Sequence, residues 1–530
     1  MPTPIVLSAL GAALLALAGA GRAQWHPGAG RWGRADETEL RVMTWNVRDT
    51  LCSTNAKLEG ANDWCAMARI VAALRPDVLI VQEAGDNAGH GTGLDQDSAE
   101  ELETVLGLFV RGGADPFAPG RPAVNCCVQA HAPGYDLPFA AASYSTDGYN
   151  RNALLSRFPF ADLNGDGKSV LSNLPPLVAD GYAPGGSGGL RGYLLAELDL
   201  PDELYAGDLV VGNSHLRAGT TPFAHEQRVA AARNIAYYLD HVFNGAGLGL
   251  PDPFGKLADY PPVATILGPD TTVVTGGDWN EDEALDPVKG PAEWITRAEL
   301  ADSAGGGDGT DRDRGDMLYD EAQDPFTGSV ATLGGVKYDY LAWQDSVAAL
   351  QRAFLFDSAS LPADGSATPP ELAGLDGGAG PASSLASDHR PVVVDLTLPA
   401  APCNDAPDLG CAEPGGGGLL PRFTACGAPA PGGSGGGGAV FRLDHAAPFA
   451  PAWLVASIRP GRLPFAGGVL VPAPEYLLGP FETDVAGRLR FRDAAAGGGP
   501  RELYAQWVVL DPRAAAGASL SNALLLSSGR

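Results

Sequence analysis

The sequence predicts a layered α/β domain followed by a small β-sandwich, on three observations. Across residues 39–396, apolar β-like runs alternate with helix-like stretches, the order expected when helices cover sheets. After Leu398 the texture changes abruptly to Pro, Gly and Cys, and the glycine runs at 415–418 and 432–438 mark a flexible linker. Beyond it, short β-type runs are separated by Gly and Pro turns. A chain of 530 residues, 45% of them hydrophobic, is long enough to bury a large core and to form more than one domain. The division read from these features is a secretory signal over 1–23, the α/β domain over 36–398, the linker over 399–438 and the β-sandwich over 439–530.

Strands of the α/β domain are expected at 41–47, 78–82, 153–155, 193–198, 209–213, 272–275, 337–342 and 391–396. Residues 64–74 read as a helix, because Met67, Ile70, Val71 and Leu74 form an apolar stripe ahead of the breaker Pro76. Residues 224–242 read as another. In the C-terminal part, β-type runs are expected at 453–458, 469–471, 489–491 and 504–510. This part resembles a β-rich module attached to many exported bacterial proteins, in which the ending "LYAQWVVLDP…LSNALLL" recurs. That likeness implies no chemistry.

At the N-terminus, an apolar stretch over 5–18 precedes Gly21-Arg22-Ala23, a small-x-small pattern suited to signal peptidase. We read it as a secretory signal removed near Ala23, which makes the protein secreted or held at the cell surface. The apolar run is short for a membrane anchor, and no later segment is apolar enough to span a bilayer. Seven cysteines suit an oxidising compartment. Cys52, Cys65, Cys126 and Cys127 fall early, and Cys403, Cys411 and Cys426 fall late, so pairing is expected within each group. No Cys/His spacing resembles a zinc site. The net charge of −28 favours solubility and argues against unaided, tight binding of a polyanion, for which many Lys and Arg are needed. A bound cation and a few local arginines can still make one cleft attractive.

Polar residues at the ends of apolar strands carry the functional signal, because a strand end is a rigid platform. "VMTWN" ends in Asn46, "DVLIVQE" in Glu83 and "LVVGNSH" in His215. "TVVTGGDWN" presents Asp278 and Asn280, "VKYDYLAW" carries Asp339, and "SDHRPVVVDL" sets Asp388 and His389 just before a strand. Singly, each has the ordinary explanation of a turn or cap residue.

Together and in this order, the six segments resemble the motif set of the endonuclease/exonuclease/phosphatase superfamily, over roughly residues 40–397. The resemblance implies a four-layered α/β/β/α sandwich of two mixed sheets and a metal-dependent phosphoric ester hydrolase. Hydrolysis of a phosphate ester needs neutralisation of the equatorial oxygens, an in-line water and help for the leaving oxygen. Oxygen ligands suit Mg²⁺ or Mn²⁺, and the expected ligands are Glu83 with Asn46 and, as a third contact, Asp388. Asp278 would orient or deprotonate the water, and Asn280 would hold the phosphate or that water. His215 and His389 would donate to phosphate oxygens, or serve as acid or base, with Asp339 orienting His389 and raising its basicity.

Asn152 in "YNRNALLSRFPF" matches a family segment near substrate or metal, and Arg191 is a candidate phosphate contact; each is weighed evenly against a surface role. Arg151 and Arg217 are placed to make the mouth basic. Asp162, Asn164 and Asp166 in "ADLNGDGKS" alternate as in a calcium loop but lack its closing Glu, so structural Ca²⁺ is weighed against a solvated turn. The acidic run Asp308, Asp311, Asp313, Asp316 and Asp320 is read as a solvated loop. The partner is a phosphate-ester substrate, extracellular DNA or RNA first. A sphingomyelinase-like or small-molecule phosphodiesterase or phosphomonoesterase, and a non-catalytic binding protein, are the alternatives, and a monomer is the expected state.

Overall fold

A computed structural model of the chain describes residues 25–35, 39–49, 51, 57–85, 97–144, 146, 150–161, 192–201, 204–240, 270–285, 289–296, 317–400, 408–416, 418–426, 439–484, 487–493 and 501–528. The signal segment lies outside these residues, as do Asp162, Asn164, Asp166, Arg191, Cys52, Cys403 and the acidic run from Asp308 to Asp316.

Twelve strands of the α/β part are numbered here in chain order: β1 Leu40–Asn46, β2 Val78–Gln82, β3 Phe139–Ala142, β4 Ala153–Ser156, β5 Phe160–Ala161, β6 Tyr193–Leu198, β7 Leu209–His215, β8 Thr272–Asp278, β9 Leu318–Tyr319, β10 Asp339–Trp343, β11 Ala349–Leu355 and β12 Val392–Thr397. They form two six-stranded sheets, ordered β11-β12-β1-β2-β4-β3 and β9-β10-β8-β7-β6-β5. Both are mixed: β1 runs parallel to β2 and β7 parallel to β8, while the other neighbours are antiparallel.

The period-two alternation of each strand assigns its side chains to two cores. Leu40, Val42, Val78, Ile80 and Leu154 of one sheet pack with Leu194, Ala196, Val211, Val274, Leu341 and Trp343 of the other. The intervening Met43, Trp45, Leu79, Val81 and Leu155 face helices α1 (Asp63–Leu74) and α2 (Ala99–Arg111). On the far side Tyr193, Leu195, Val210, Val273, Tyr340 and Ala342 pack with Ala231, Ala232 and Ile235 of α3 (Pro222–Asp240). The layers are helix, sheet, sheet and helix, as the resemblance implied. Helix α1 starts where Asn62 accepts a hydrogen bond from Cys65 N, and ends at Arg75, which takes a left-handed conformation ahead of Pro76.

The C-terminal part is all β, with a three-stranded sheet (Arg422–Cys426, Ala439–Asp444, Leu489–Asp493) and a four-stranded sheet (Tyr476–Glu482, Pro451–Ser457, Arg501–Leu510, Ala518–Ser528). Phe423, Phe441, Leu443 and Leu489 share one core with Leu454, Trp507 and Leu524. The strand Arg422–Cys426 falls inside the stretch read as linker. Its five residues pair with Ala439–Asp444 through Phe423 and Ala425, despite the glycine-rich sequence on either side. Among the described residues, no helix is long and apolar enough to cross a membrane.

Candidate active site

Strand register brings the motif residues together. Asp278 ends β8, the strand between β7 and β10, and pairs with His215 on one side and with Asp339 on the other. Gly277 allows this approach, since a Cβ there would lie 1.8 Å from the Ser214 carbonyl oxygen. In the other sheet Asn46 pairs with Gln82, the residue before Glu83, and Val392 pairs with Thr44, which carries the preceding His389 to the same edge. The sheets are pinned close to that edge. Gln82 Nε2 donates to Asn213 Oδ1 at 2.9 Å, and Asn213 Nδ2 donates to the Val81 and Ala153 carbonyls.

Asp278 Oδ2 is the focus. It accepts from Asn46 Nδ2 at 2.9 Å and lies 3.3 Å from His215 Nε2 and 3.8 Å from His389 Nε2. Asn46 Nδ2 also reaches Glu83 Oε1 at 3.1 Å, which is 3.7 Å from His215 Nε2. Asp278 Oδ1 accepts from Asn280 N at 3.0 Å, and Asn280 Nδ2 donates to the Leu216 carbonyl. His389 Nδ1 is 2.7 Å from Asp339 Oδ2. The set is buried except for Glu83, whose side chain is 23% exposed, and Asn280, which is half-buried. Glu83 and Asn280 take left-handed conformations, with φ of 52° and 56°, as do Arg48 and Asp49 beside them. Such cost is tolerated where surrounding contacts fix the backbone, which happens most often at functional sites.

Electrostatics separate the groups. Burial opposes the charge of Asp278, but His215, His389 and the Asn46 hydrogen bond outweigh it and hold the carboxyl at about 2. Burial pushes Asp339 up from the ordinary carboxylate value. Burial also opposes a charged His389, yet Asp339, Asp278 and Asp388 overcome it and raise the imidazole to about 10. One proton is thus held along the His389–Asp339 contact, beside an ionised Asp278. Two buried atoms of the set have no hydrogen-bond partner: His215 Nδ1 and Asp339 Oδ1.

Other predicted residues lie elsewhere or differ. Asp388 is exposed, and its carboxylate lies 3.7 Å from Arg48 Nε. Asn152 is buried, donates to the Gly192 carbonyl and leaves its Oδ1 unpartnered, one residue from Arg151, whose carbonyl accepts from Ala84 N. Arg151 does not make the mouth basic. It is buried and spends its guanidinium on the carbonyls of Asp97, Ser143 and Tyr144. Arg217 is half-buried, bonded to Gln227 Oε1 at 2.7 Å and placed over the Phe223 ring. Asp320 is no solvated loop residue either, being buried between Lys337 Nζ at 2.5 Å and the Leu341 and Ala322 amides.

Three supporting residues were not singled out from sequence. Ser387 Oγ donates to the Asn46 carbonyl and accepts from His389 N, tying the two sheet-edge segments together. Thr332 Oγ1 accepts from the amide of Asp339. Trp279 stacks on Tyr340 and donates to Ser214 Oγ. The serine of "SDH" was a readable signal; Thr332, in a loop, left none.

No family model and no curated protein matches the chain. Solved structures similar to it include an endonuclease/exonuclease/phosphatase from Beutenbergia cavernae DSM 12333, at 20% identity and a TM-score of 0.37, covering 92% of this chain and 100% of that one. The catalytic domain of human Nocturnin is similar at 13% identity and a TM-score of 0.35, covering 68% of this chain and 95% of that one. Sphingomyelinase C from Streptomyces griseocarneus is similar at 14% identity and a TM-score of 0.32, covering 67% and 99%. Identities and TM-scores this low carry no information about substrate. By its own sheet order and layering, the α/β part of the chain is a helix–sheet–sheet–helix sandwich of two mixed six-stranded sheets, the architecture that the motif resemblance implies.

Proposed function

We propose that the chain is an exported phosphoric ester hydrolase that cleaves phosphodiester bonds with the help of Mg²⁺ or Mn²⁺. One observation carries the reading: Asn46, His215 and His389 all surround a single oxygen of the ionised Asp278, with Glu83 alongside. The donor set fits a hard cation through the partly exposed Glu83 carboxylate; Asn46, whose Nδ2 faces Glu83 while its Oδ1 accepts from Arg48 N, would offer its oxygen there by a flip of the amide. Asp388 is the proposed third contact. A cation so held would neutralise charge on the phosphate oxygens.

The chain's own residues supply the rest. Asp278, ionised through the neutral range, accepts a hydrogen bond from the attacking water and aims it at phosphorus. Its low proton affinity favours orienting over outright deprotonation. His389, protonated at neutral pH, donates from Nε2 to a phosphate oxygen, and Asp339 keeps its Nδ1 side engaged. His215 donates to a second oxygen from Nε2, and Asn280 holds the phosphate or the water. Asn152 is proposed to contact the substrate or support the metal site, Arg191 to reach a phosphate, and Asp162, Asn164 and Asp166 to form either a solvated turn or a structural calcium loop.

A nuclease acting outside the cell is the first substrate reading, from the motif likeness. The net charge of −28 favours the second, a phosphodiesterase or monoesterase for a small or lipid phosphate ester. A panel of a phosphate diester, a monoester, plasmid DNA and sphingomyelin, each with Mg²⁺ and with chelator, separates them. Asp278→Asn and His389→Ala are expected to abolish metal-dependent turnover with the circular dichroism spectrum unchanged; full turnover in both would defeat these roles.

A further inference from the structure

Away from the active site, the fold assembles a second group of potential ligands that sequence spacing does not announce. Glu59, Cys65, Cys126 and His131 each offer an atom within 4.8 Å of the others. Cys65 lies in the first turn of α1, and Cys126 is 61 residues further on, joined to it by a disulfide. His131 Nε2 is 3.2 Å from Cys126 Sγ and 3.2 Å from Glu59 Oε1, and Cys65 Sγ is 3.5 Å from Glu59 Oε2. Both sulfurs are buried, whereas Glu59 is 44% exposed, so the group has a solvent side.

We propose that this cluster is a redox-gated site for a zinc-type divalent cation, closed by the Cys65–Cys126 disulfide and opened by its reduction. The chemistry of the set points there. Two thiolates, one imidazole nitrogen and one carboxylate oxygen are the ligand types and number of a tetrahedral zinc site, and they differ from the oxygen set proposed for the active site. Reduction converts the S–S bond to two thiols. A dithiol gives two electrons and two protons and ends as a disulfide, whereas a phosphine gives two electrons, takes an oxygen atom from water to become a phosphine oxide and leaves that water's two protons on the sulfurs. Binding then releases those two protons to solvent as both sulfurs ligate. The first turn of α1 favours the Cys65 thiolate through the positive end of the helix dipole. Arg69, with NH2 2.8 Å from Glu59 Oε2, holds the carboxylate with its other oxygen toward His131.

The test uses the full chain, stripped of metal, reduced anaerobically with a phosphine and titrated with Co²⁺. One equivalent is expected to produce a thiolate-to-cobalt charge-transfer band in the near ultraviolet, displaced by Zn²⁺ and absent from the disulfide-bonded protein. The proposed active site has no sulfur ligand and cannot give that band. Cys65→Ser/Cys126→Ser should remove it, and a band of undiminished strength in that variant would overturn the proposal, as would its absence from the reduced parent chain. Should the double variant fail to fold, His131→Gln in the reduced chain decides the matter: Co²⁺ affinity must fall by about tenfold or more, since one of four ligands is lost, and an unchanged affinity rejects the site.

Discussion

Two buried charge networks sit at opposite ends of the same strands, and they are built differently. At the start of β1, Arg41 donates to both Asp395 oxygens at 2.6 and 2.8 Å and to the Leu74 and Trp32 carbonyls. Arg352 joins Asp395 to Glu39. Burial opposes the Asp395 charge, but the two guanidinium groups hold its carboxyl below the ordinary value. None of the unpartnered buried polar atoms among the described residues belongs to Arg41, Arg352 or Asp395. At the far end of β1, Asn46 enters a network with three carboxylates and two histidines, in which His215 Nδ1 and Asp339 Oδ1 are left over and His389 is raised to about 10. The first network spends its hydrogen-bonding capacity internally. The second leaves capacity unused, as a ligand site would.

The largest expected effect follows from that contrast. Asp278→Asn should lower turnover of a phosphate diester by roughly 10²–10⁴-fold, with a denaturation midpoint no lower than the parent's; a large stability loss with turnover intact would erase the distinction. At the other end, Asp395→Leu leaves the buried Arg41 guanidinium without its carboxylate and should cost about 3–5 kcal/mol in urea unfolding, while turnover per folded molecule stays the same.

A smaller effect concerns pH in the metal-free protein. His389 is raised from 6.5 to about 10 on folding, so its contribution to stability is fully present below 6.5 and is lost as pH rises through about 10. His389→Gln should flatten that alkaline decline, measured as unfolding midpoints across the range with chelator present. An unaltered decline would show that another group sets it.

The smallest effect separates a ligand from a surface ion pair. Asp388 and Arg48 are 43% and 65% exposed and 3.7 Å apart, so Asp388→Asn should change stability by less than about 1 kcal/mol. Calorimetric titration with Mn²⁺ then decides whether Asp388 contacts the metal, because a weakened affinity is expected and an unchanged one removes it from the ligand set.

Much of the core was legible in the residues. The β2 and β6 spans coincide with those expected, because Val78–Gln82 and Tyr193–Leu198 are short, apolar and bounded by breakers. β8 runs three residues past the expected end, through Gly276 and Gly277, whose low strand propensity hid a position where the neighbouring strand leaves no room for a side chain. Helix α2 went unread although Ser98 and Glu101 form a capping box at its start. β11 is exposed over Ala349, Leu350 and Gln351 and shows no alternation to read.

By itself the sequence determined which residues are equipped for chemistry: the polar groups of Asn46, Glu83, His215, Asp278, Asp339 and His389 stand at or beside strand ends, and period-two alternation turns Asn46, His215, Asp278 and Asp339 toward a common layer. Only the tertiary structure decided which of them meet. Strand register set Asp278 opposite both His215 and Asp339; the packing of loops and helices left Asp388 facing Arg48, buried Arg151 on backbone carbonyls, and brought Glu59 and His131 to the Cys65–Cys126 pair. The physical reason is that residue type and local periodicity act over a few positions, whereas contact between residues tens to hundreds of positions apart depends on which strands pair and in what register.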